Sequence, residues 1–339
     1  MAETVDEAVD LAEVQRPATC LCLCEQYVRV TEGGALTAAR WLGRADQDAA
    51  EGDAAAAMRA VLDEFPIRGR VVIGSAMEDS PLRAGDDIGA GGDTVDLALD
   101  PLEGRGVVAR GGNGAMSMIA VGERGSLLEL PDMYMRKLAV GPRARGSIDL
   151  LKSMGENVQA IADAFDRRPN DIMTIVLDRP RHHDLIEEIR AAGARIKLIQ
   201  DGTVTASISA AIRGTNDHLA VGIGGTRQAI MSAAALRCLG GELQAQLWPT
   251  SRHEIEEARA LGIEDPMRVF TTEELAPGEV IVVATGVSNG DLLRGVRFLT
   301  DSARTHSIVM CTRCNWVRFI DGIHFFARER REEVRLLGY

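Results

Sequence analysis

The sequence predicts an α/β protein, and three observations carry the prediction. Runs such as Val71-Val72-Ile73, Ile172 to Leu177 and Val280 to Ala284 are apolar on both faces, the pattern of buried strands. Between such runs lie Ala-rich stretches with apolar residues at helical spacing. Aromatics make up only 4% of the chain while Gly reaches 35 residues, which suits many tight turns better than an aromatic-rich β-sandwich. A chain of 339 residues buries a substantial core and makes about two domains.

The elements follow in order. Residues 1–24 are an acidic lead that closes in a Cys-Leu alternation. The spacing of Val30, Leu36, Ala39 and Leu42 predicts a helix from about Val28 to Trp41. A second helix runs from Ala49 to Phe65, with Met58, Leu62 and Phe65 on one face. Arg70 to Gly74 is a short strand ending in Gly, and a Gly-rich loop spans Gly85 to Gly92. In the next strand Val95, Leu97 and Leu99 alternate, and Pro101 is expected to stop it. Met116 to Val121 is a further strand. The second half has βαβ rhythm: strand Ile172–Leu177, helix Asp184–Ala192 closed by Gly193, strand Arg195–Ile199, helix Ala206–Ile212, strand Leu219–Gly225, helix Arg227–Leu239 and strand Val280–Gly286. Ser307–Thr312 and Trp316–Ile320 read as a hairpin turning through Cys314-Asn315. Ligands bind parallel sheets at the carboxyl ends of strands. That directs attention to Gly224-Gly225 and Thr285-Gly286, where glycine lets a backbone N–H approach an oxyanion. A tight turn alone explains each glycine equally well.

Charge narrows the partners. A net charge of −12 argues against a general nucleic-acid binder and against an anionic membrane surface. It leaves room for a small anionic ligand, which needs only a local cluster of Arg and Lys. No apolar run approaches about 18 residues, so no membrane-spanning helix is expected. Met1 to Asp10 is acidic and lacks the basic and apolar regions of a signal peptide, so the expected compartment is the cytoplasm.

Six cysteines admit a sharper and a plainer reading. Cys20, Cys22 and Cys24 alternate with Leu21 and Leu23 as in a strand, and Cys311 and Cys314 form a Cys-x-x-Cys. A zinc site needs more than one such pair, and the N-terminal trio supplies it only if the two ends of the chain meet. With no thioredoxin-like context around either cluster, small buried thiols are the preferred reading. The six histidines contain no i, i+4 ligand pair. Only His182, beside Arg181, stands where chemistry is conceivable, and a polar loop histidine is the plainer account.

The most informative stretch is Asp96-Leu97-Ala98-Leu99-Asp100-Pro101-Leu102-Glu103-Gly104. Asp100 and Glu103 fall at a strand end, where their oxygens can converge on one hard cation, although solvated acids at a strand end are equally ordinary. Other motifs accompany it: Trp41-Leu42-Gly43-Arg44, Pro131-Asp132-Met133-Tyr134-Met135, Pro180-Arg181-His182, Asp201-Gly202, Gly222-Ile223-Gly224-Gly225 and Ala284-Thr285-Gly286. In this order, from about residue 25 onward, the chain resembles the class II fructose-1,6-bisphosphatases, whose cyanobacterial relatives also cleave sedoheptulose-1,7-bisphosphate. The resemblance implies a two-domain layered α/β sandwich of the type shared with inositol phosphatases. We divide the chain accordingly into an N-terminal extension (1–24), a metal and phosphate domain (25–143) and a sugar-binding α/β domain with a C-terminal hairpin (144–339).

The chemistry implied by the resemblance is hydrolysis of a sugar phosphate with Mg2+ or Mn2+ held by carboxylates. Glu51, Asp100 and Glu103 match metal positions. Tyr134, Lys137, Arg181 and Asp201 match sugar-phosphate contacts, and Gly224, Gly225 and Gly286 match the backbone that admits the ligand. The family tends toward dimers and tetramers, which implies a homo-oligomer.

The pattern then departs from the family at the chemistry. Glu51 replaces a shorter Asp. Ser75, in Gly74-Ser75-Ala76-Met77, stands where a Glu is expected, with Glu78 and Asp79 as nearby acids of uncertain register. Arg105 replaces the Thr that orients water, Gln228 replaces a Glu, Gln47 a Lys, and Thr203 the second Asp of an Asp-Gly-Asp. At the metal site Ser75 and Gln228 remove two negative charges and Arg105 adds one positive, only partly offset at Gln47, which predicts weakened cation binding, since hard dications are held chiefly by carboxylate charge. Arg105, Arg110 and Arg181 remain to hold phosphate. Three functions follow: a divergent sugar-bisphosphate phosphatase with Asp100, Glu103 and Arg105 at the chemistry, a sugar-phosphate-binding paralogue of impaired activity, or an enzyme of altered chemistry in specialised metabolism.

Overall fold

The computed structural model describes residues 23–75 and 77–326. Cys20 and Cys22 lie outside the described residues, and Cys24 sits in a turn rather than a strand. From that turn the chain enters α1 (Val28–Ala38), prolonged by a 3-10 turn through Trp41, then α2 (Gln47–Leu62). Asp46 caps α2, its carboxylate accepting from the Ala49 N–H at 3.0 Å. There follow β1 (Ile67–Ile73), β2 (Asp87–Ile88), β3 (Asp93–Glu103), the short α3 (Arg105–Ala109), β4 (Met116–Glu123) and β5 (Tyr134–Val140). The middle of the chain forms α4 (Met154–Phe165), β6 (Met173–Leu177), α5 (His183–Ala191), β7 (Arg195–Ile199), α6 (Thr203–Ala211), β8 (Leu219–Gly225) and α7 (Thr226–Leu239). The remainder comprises β9 (Glu242–Leu247), α8 (Arg252–Ala260), β10 (Val269–Thr271), α9 (Thr272–Leu275), β11 (Val280–Gly286), β12 (Arg297–Phe298), β13 (Ser302–Cys311) and β14 (Trp316–Phe325). None of these helices is long and apolar enough to cross a membrane.

Strand alternation stacks these elements in five layers. In β3, Leu97 and Leu99 point to one core with Met58 and Leu62 of α2, while Ala98 points to another with α6 and α7. The second core is shared: Met118, Val282 and Met310 of the first sheet meet α7, and so do Met135, Ala139 and Ala245 of the second. On the far face of the second sheet, Leu138, Val140 and Val176 pack on Val158 and Ile161 of α4 and Ile186 and Ile189 of α5. The order is therefore α1/α2, first sheet, α6/α7, second sheet, α4/α5.

Pairing corrects several expectations. The first sheet runs β12-β13-β11-β4-β3-β1-β2, with β14 on β13, and only β1 and β3 pair in parallel. The second runs β10-β9-β5-β8-β6-β7, parallel only at β8-β6-β7. β11, which resembles the parallel strands in composition, lies antiparallel between β4 and β13. An apolar run shows burial on two faces and says nothing of its neighbour's direction. The sheets do not divide at residue 143 either. β5 already belongs to the second sheet, and β11 to β14 return to the first, because long crossovers, rather than local composition, choose the partners. Pro101 does not stop β3. Three steps from Asp100 to Glu103 answer two from Met118 to Met116 on β4, so the missing N–H falls in a bulge where the ladder is interrupted. β5, β9, α4 and α8 lie in stretches where no element was expected. The expected C-terminal hairpin forms and is longer, its ladder running from Ser302–Phe325 at the open end to Cys311–Trp316 at the turn.

A buried hydroxyl chain ties α1 to this sheet. Thr285 Oγ1 lies 2.7 Å from both Thr31 Oγ1 and Ser307 Oγ, and Thr31 also donates to the Val28 carbonyl at 3.1 Å. All three hydroxyl residues are inaccessible to solvent. Thr285→Val keeps the shape and deprives Ser307 of its partner, so a loss of about 1–3 kcal/mol is expected in urea denaturation.

Candidate active site

The bulge in β3 opens a cleft of about 380 Å³ between the two sheets. Four carboxylates line it, from Glu51, Asp100, Glu103 and Asp201, together with four guanidiniums, from Arg105, Arg179, Arg181 and Arg227. β3 delivers Asp100 and Glu103. Gly104 then takes a left-handed conformation (φ +94°) that starts α3 and turns Arg105 into the cleft.

Glu103, 4% exposed, spends both oxygens on the N-terminus of α6. One accepts from the Val204 N–H at 2.6 Å, the other from the Thr205 N–H at 3.1 Å and the Thr205 hydroxyl at 2.6 Å. Burial pushes its carboxyl up, and these donors oppose the shift only in part. Glu51, on the inner face of α2, ion-pairs with Arg105 Nη1 at 2.9 Å and accepts a short hydrogen bond from the Ser75 hydroxyl. Arg105 also reaches Asp48 at 3.4 Å. Asp100 is pushed up to about 8, first by desolvation and then by Glu103 and Glu51, with Arg227 opposing.

The opposite wall comes from the second sheet. Arg181 lies over the Tyr134 ring, 5.1 Å from its centroid, and donates to the Ile223 backbone carbonyl at 3.0 Å. Gly224 and Gly225 line the same wall. Lys137 stands just behind it, 7% exposed, with Nζ 3.4 Å from the Thr203 hydroxyl. Burial lowers its pKa to about 8, Glu103 opposing and Arg181 reinforcing.

Several expectations change. Gly286 does not line the cleft. A Cβ there would lie 2.3 Å from the Arg294 carbonyl, so glycine serves close packing. Glu78 and Asp79 are exposed and also stand outside the cleft, and Arg110 lines a neighbouring cavity with Lys197 and Asp291. His182 is a buried brace. Its Nδ1 lies 2.8 Å from the Leu177 carbonyl and its Nε2 2.8 Å from the Ile223 N–H. This pattern requires the neutral ring protonated at Nδ1, and burial lowers its pKa.

Two guanidiniums went unnoticed in the sequence. Arg227 donates to the Gly74 carbonyl at 2.9 Å and reaches Asp132 at 3.3 Å. A cation in the first turn of a helix runs against the macrodipole, and that was the available signal. Arg179 is held by the carbonyls of Asp178 and Gln200, and nothing local marks it.

The ligand oxygens of Glu51, Asp100 and Glu103 do not all lie within 4.8 Å of one another. Among the described residues, the only His, Cys, Asp or Glu trio whose ligand atoms lie within 4.8 Å of one another consists of cysteines. Glu51 is held by Arg105, and Glu103 by α6.

Residues 22–324 match the family described as bacterial fructose-1,6-bisphosphatase, glpX-encoded. The chain belongs to this bacterial fructose-1,6-bisphosphatase family. It is 42% identical to the D-fructose 1,6-bisphosphatase class 2/sedoheptulose 1,7-bisphosphatase of Synechococcus sp. (strain JA-3-3Ab), over 92% of this chain and 98% of that one. Enzymes of the same name from Acaryochloris marina (strain MBIC 11017) and Synechocystis sp. (strain ATCC 27184 / PCC 6803 / Kazusa) are 40% and 39% identical. These alignments span 91% and 88% of this chain, and 97% and 95% of the relatives. Family membership agrees with the layered α/β architecture that the motifs implied.

Two measurements check the geometry. Gly286→Ala is expected to lower the unfolding midpoint through overpacking of about 1–3 kcal/mol while leaving ligand affinity in the folded fraction unchanged. Asp100→Asn removes a group whose folded pKa lies above its unfolded value. The folded state therefore holds the Asp100 proton more tightly, and wild-type stability falls as pH rises between about 4 and 8. The thermal advantage of Asp100→Asn over wild type should grow across that window and level off above it in calorimetry.

Proposed function

We propose that the cleft binds a sugar bisphosphate and hydrolyses one of its phosphate monoesters, with fructose-1,6-bisphosphate or sedoheptulose-1,7-bisphosphate as substrate. The observation that supports this reading most directly is the placement of the cations. Arg105 and Arg227 stand beside the carboxylates, while Arg181, stacked on Tyr134, occupies the opposite wall with Lys137 behind it. Two cationic groups suit a ligand with an anionic phosphate at each end, and planar guanidiniums suit phosphate oxygens.

In hydrolysis, water adds its oxygen to phosphorus and keeps one proton in the product phosphate, the ester P–O bond breaks, the leaving sugar oxygen takes up a proton from a side chain, and the water's other proton restores that side chain. Asp100, which lines the cleft beside Glu103 and Glu51 and whose carboxyl burial pushes up, is the group we assign as that proton's donor. Arg105 and Arg227 stabilise the charge that gathers on the phosphoryl oxygens. Glu103 holds α6 against the floor. Tyr134, Lys137, Arg181 and Asp201 hold the sugar and its second phosphate, and Gly224 and Gly225 leave room for it.

Mg2+ or Mn2+ is expected to bind weakly, because a cation entering among the carboxylates must displace Arg105 from Glu51. Two charges about 4 Å apart interact by about 4 kcal/mol at an effective dielectric of 20. Arg105→Thr is therefore expected to lower the Mn2+ concentration needed for half-saturation by about tenfold or more, measured by calorimetry.

The deciding experiment is phosphate release from both sugar bisphosphates, with Mg2+ and Mn2+ titrated to high concentration. Release from either sugar is expected. Absence of release with both sugars and both metals overturns the hydrolase reading. Heat of binding from the same sugars then supports a binding paralogue, the reading favoured by the Arg105–Glu51 pair. The appearance of hydrolysis in Arg105→Thr alone identifies Arg105 as an inhibitory replacement.

A further inference from the structure

The two ends of the described chain meet at sulfur. Cys24 lies in the turn that leads into α1, Cys311 ends β13, and Cys314 lies in the turn to β14. The three are 3%, 1% and 5% exposed and belong to the core between α1/α2 and the first sheet. Their sulfurs all fall within 4.8 Å of one another, with Cys24 Sγ and Cys314 Sγ 3.8 Å apart.

We propose that Cys24, Cys311 and Cys314 are ligands of a structural metal site for a thiophilic d10 dication of the zinc class, distinct from the cleft. Three observations carry the assignment. First, the spacing of Cys24 and Cys314, 3.8 Å, fits: tetrahedral ligands about 2.3 Å from zinc stand about 3.8 Å from each other, whereas a disulfide brings two sulfurs to about 2.05 Å. A third thiol in the same cluster has no use in a disulfide. Second, the Cys-x-x-Cys turn is shaped to hold thiolate. The Cys314 N–H donates to Cys311 Sγ at 3.4 Å, and Asn315 takes a left-handed φ of +49° that folds the chain back immediately after the second cysteine. Third, the site joins residues 290 positions apart, so the metal closes the turn before α1 onto the β13–β14 hairpin. Thiols give up their protons on binding, and binding free energy of this kind appears as folding free energy. Cys20 and Cys22 precede Cys24 in the sequence, but the site as proposed rests on the three described thiols.

The full chain, expressed with zinc and purified under reductant, should retain one zinc per chain by atomic emission after gel filtration. Cobalt exchanged into it should show tetrahedral bands with sulfur-to-cobalt charge transfer, which carboxylates in the cleft do not produce. Cys311→Ser and Cys314→Ser should each lose that spectrum, and Asp100→Asn should keep it. Strong chelation should lower the wild-type melting temperature by about 5 °C or more, a readout that holds even where a cysteine variant folds poorly. Substoichiometric zinc, a cobalt spectrum without the thiolate bands, or a Cys24–Cys314 disulfide in the reductant-purified protein would each overturn the site. The proposal stands or falls independently of the phosphatase reading.

Discussion

Glu103 is the point on which the architecture of the cleft turns. It ends the bulged segment of β3 in the first sheet, and both of its oxygens are spent on α6, a helix that packs in the core shared with the second sheet. A buried carboxylate in this position is costly unless hydrogen-bonded. The free backbone donors of a helix N-terminus supply the missing bonds. One interaction thus satisfies a charge, caps a helix and sets the two sheets at the spacing that leaves a cleft between them. The bulge at Pro101 belongs to the same device, because it aims Asp100 and Glu103 into the cleft.

Around that anchor the cleft balances positive against negative. Four guanidiniums face four carboxylates, and much of this charge is internally spent. Arg105 is shared between Glu51 and Asp48, Arg227 between Gly74 and Asp132, and Arg181 between Tyr134 and the β8 backbone. Asp100 is the carboxylate left at a disadvantage: burial and the neighbouring Glu103 and Glu51 push its pKa up. An anionic ligand entering such a site meets cations already oriented by their partners, so little side-chain entropy remains to be lost on binding.

Between the first sheet and α1/α2 lies a second polar cluster, remote in kind from the cleft. The hydroxyls of Thr31, Thr285 and Ser307 and the thiols of Cys24, Cys311 and Cys314 both bind α1 and the turn before it to β11, β13 and the β13–β14 hairpin. The helix pair that carries Glu51 is held on the sheet by these contacts as well as by apolar packing. The position of Glu51 opposite Arg105 therefore depends on packing well away from the cleft.

The sequence by itself determined the class of the fold, the identity of the motif that places Asp100 and Glu103, and the helices and strands with strong periodicity, such as α2, α7 and β11. These are local or motif-borne properties: apolar spacing and short residue patterns are written in neighbouring positions. It did not determine strand direction, the return of β11 to the first sheet or the continuation of β3 through Pro101, because hydrogen-bond partners are chosen by residues far away in the chain. Only the tertiary structure decided that Glu51 faces Arg105, that Arg227 and Arg179 enter the cleft, that Gly286 serves packing and that His182 is a brace. The same holds for the cysteines. Cys24 and the Cys311–Cys314 pair read as ordinary buried thiols until the fold brings residues 290 positions apart into contact, and proximity of that kind is a property of the folded chain.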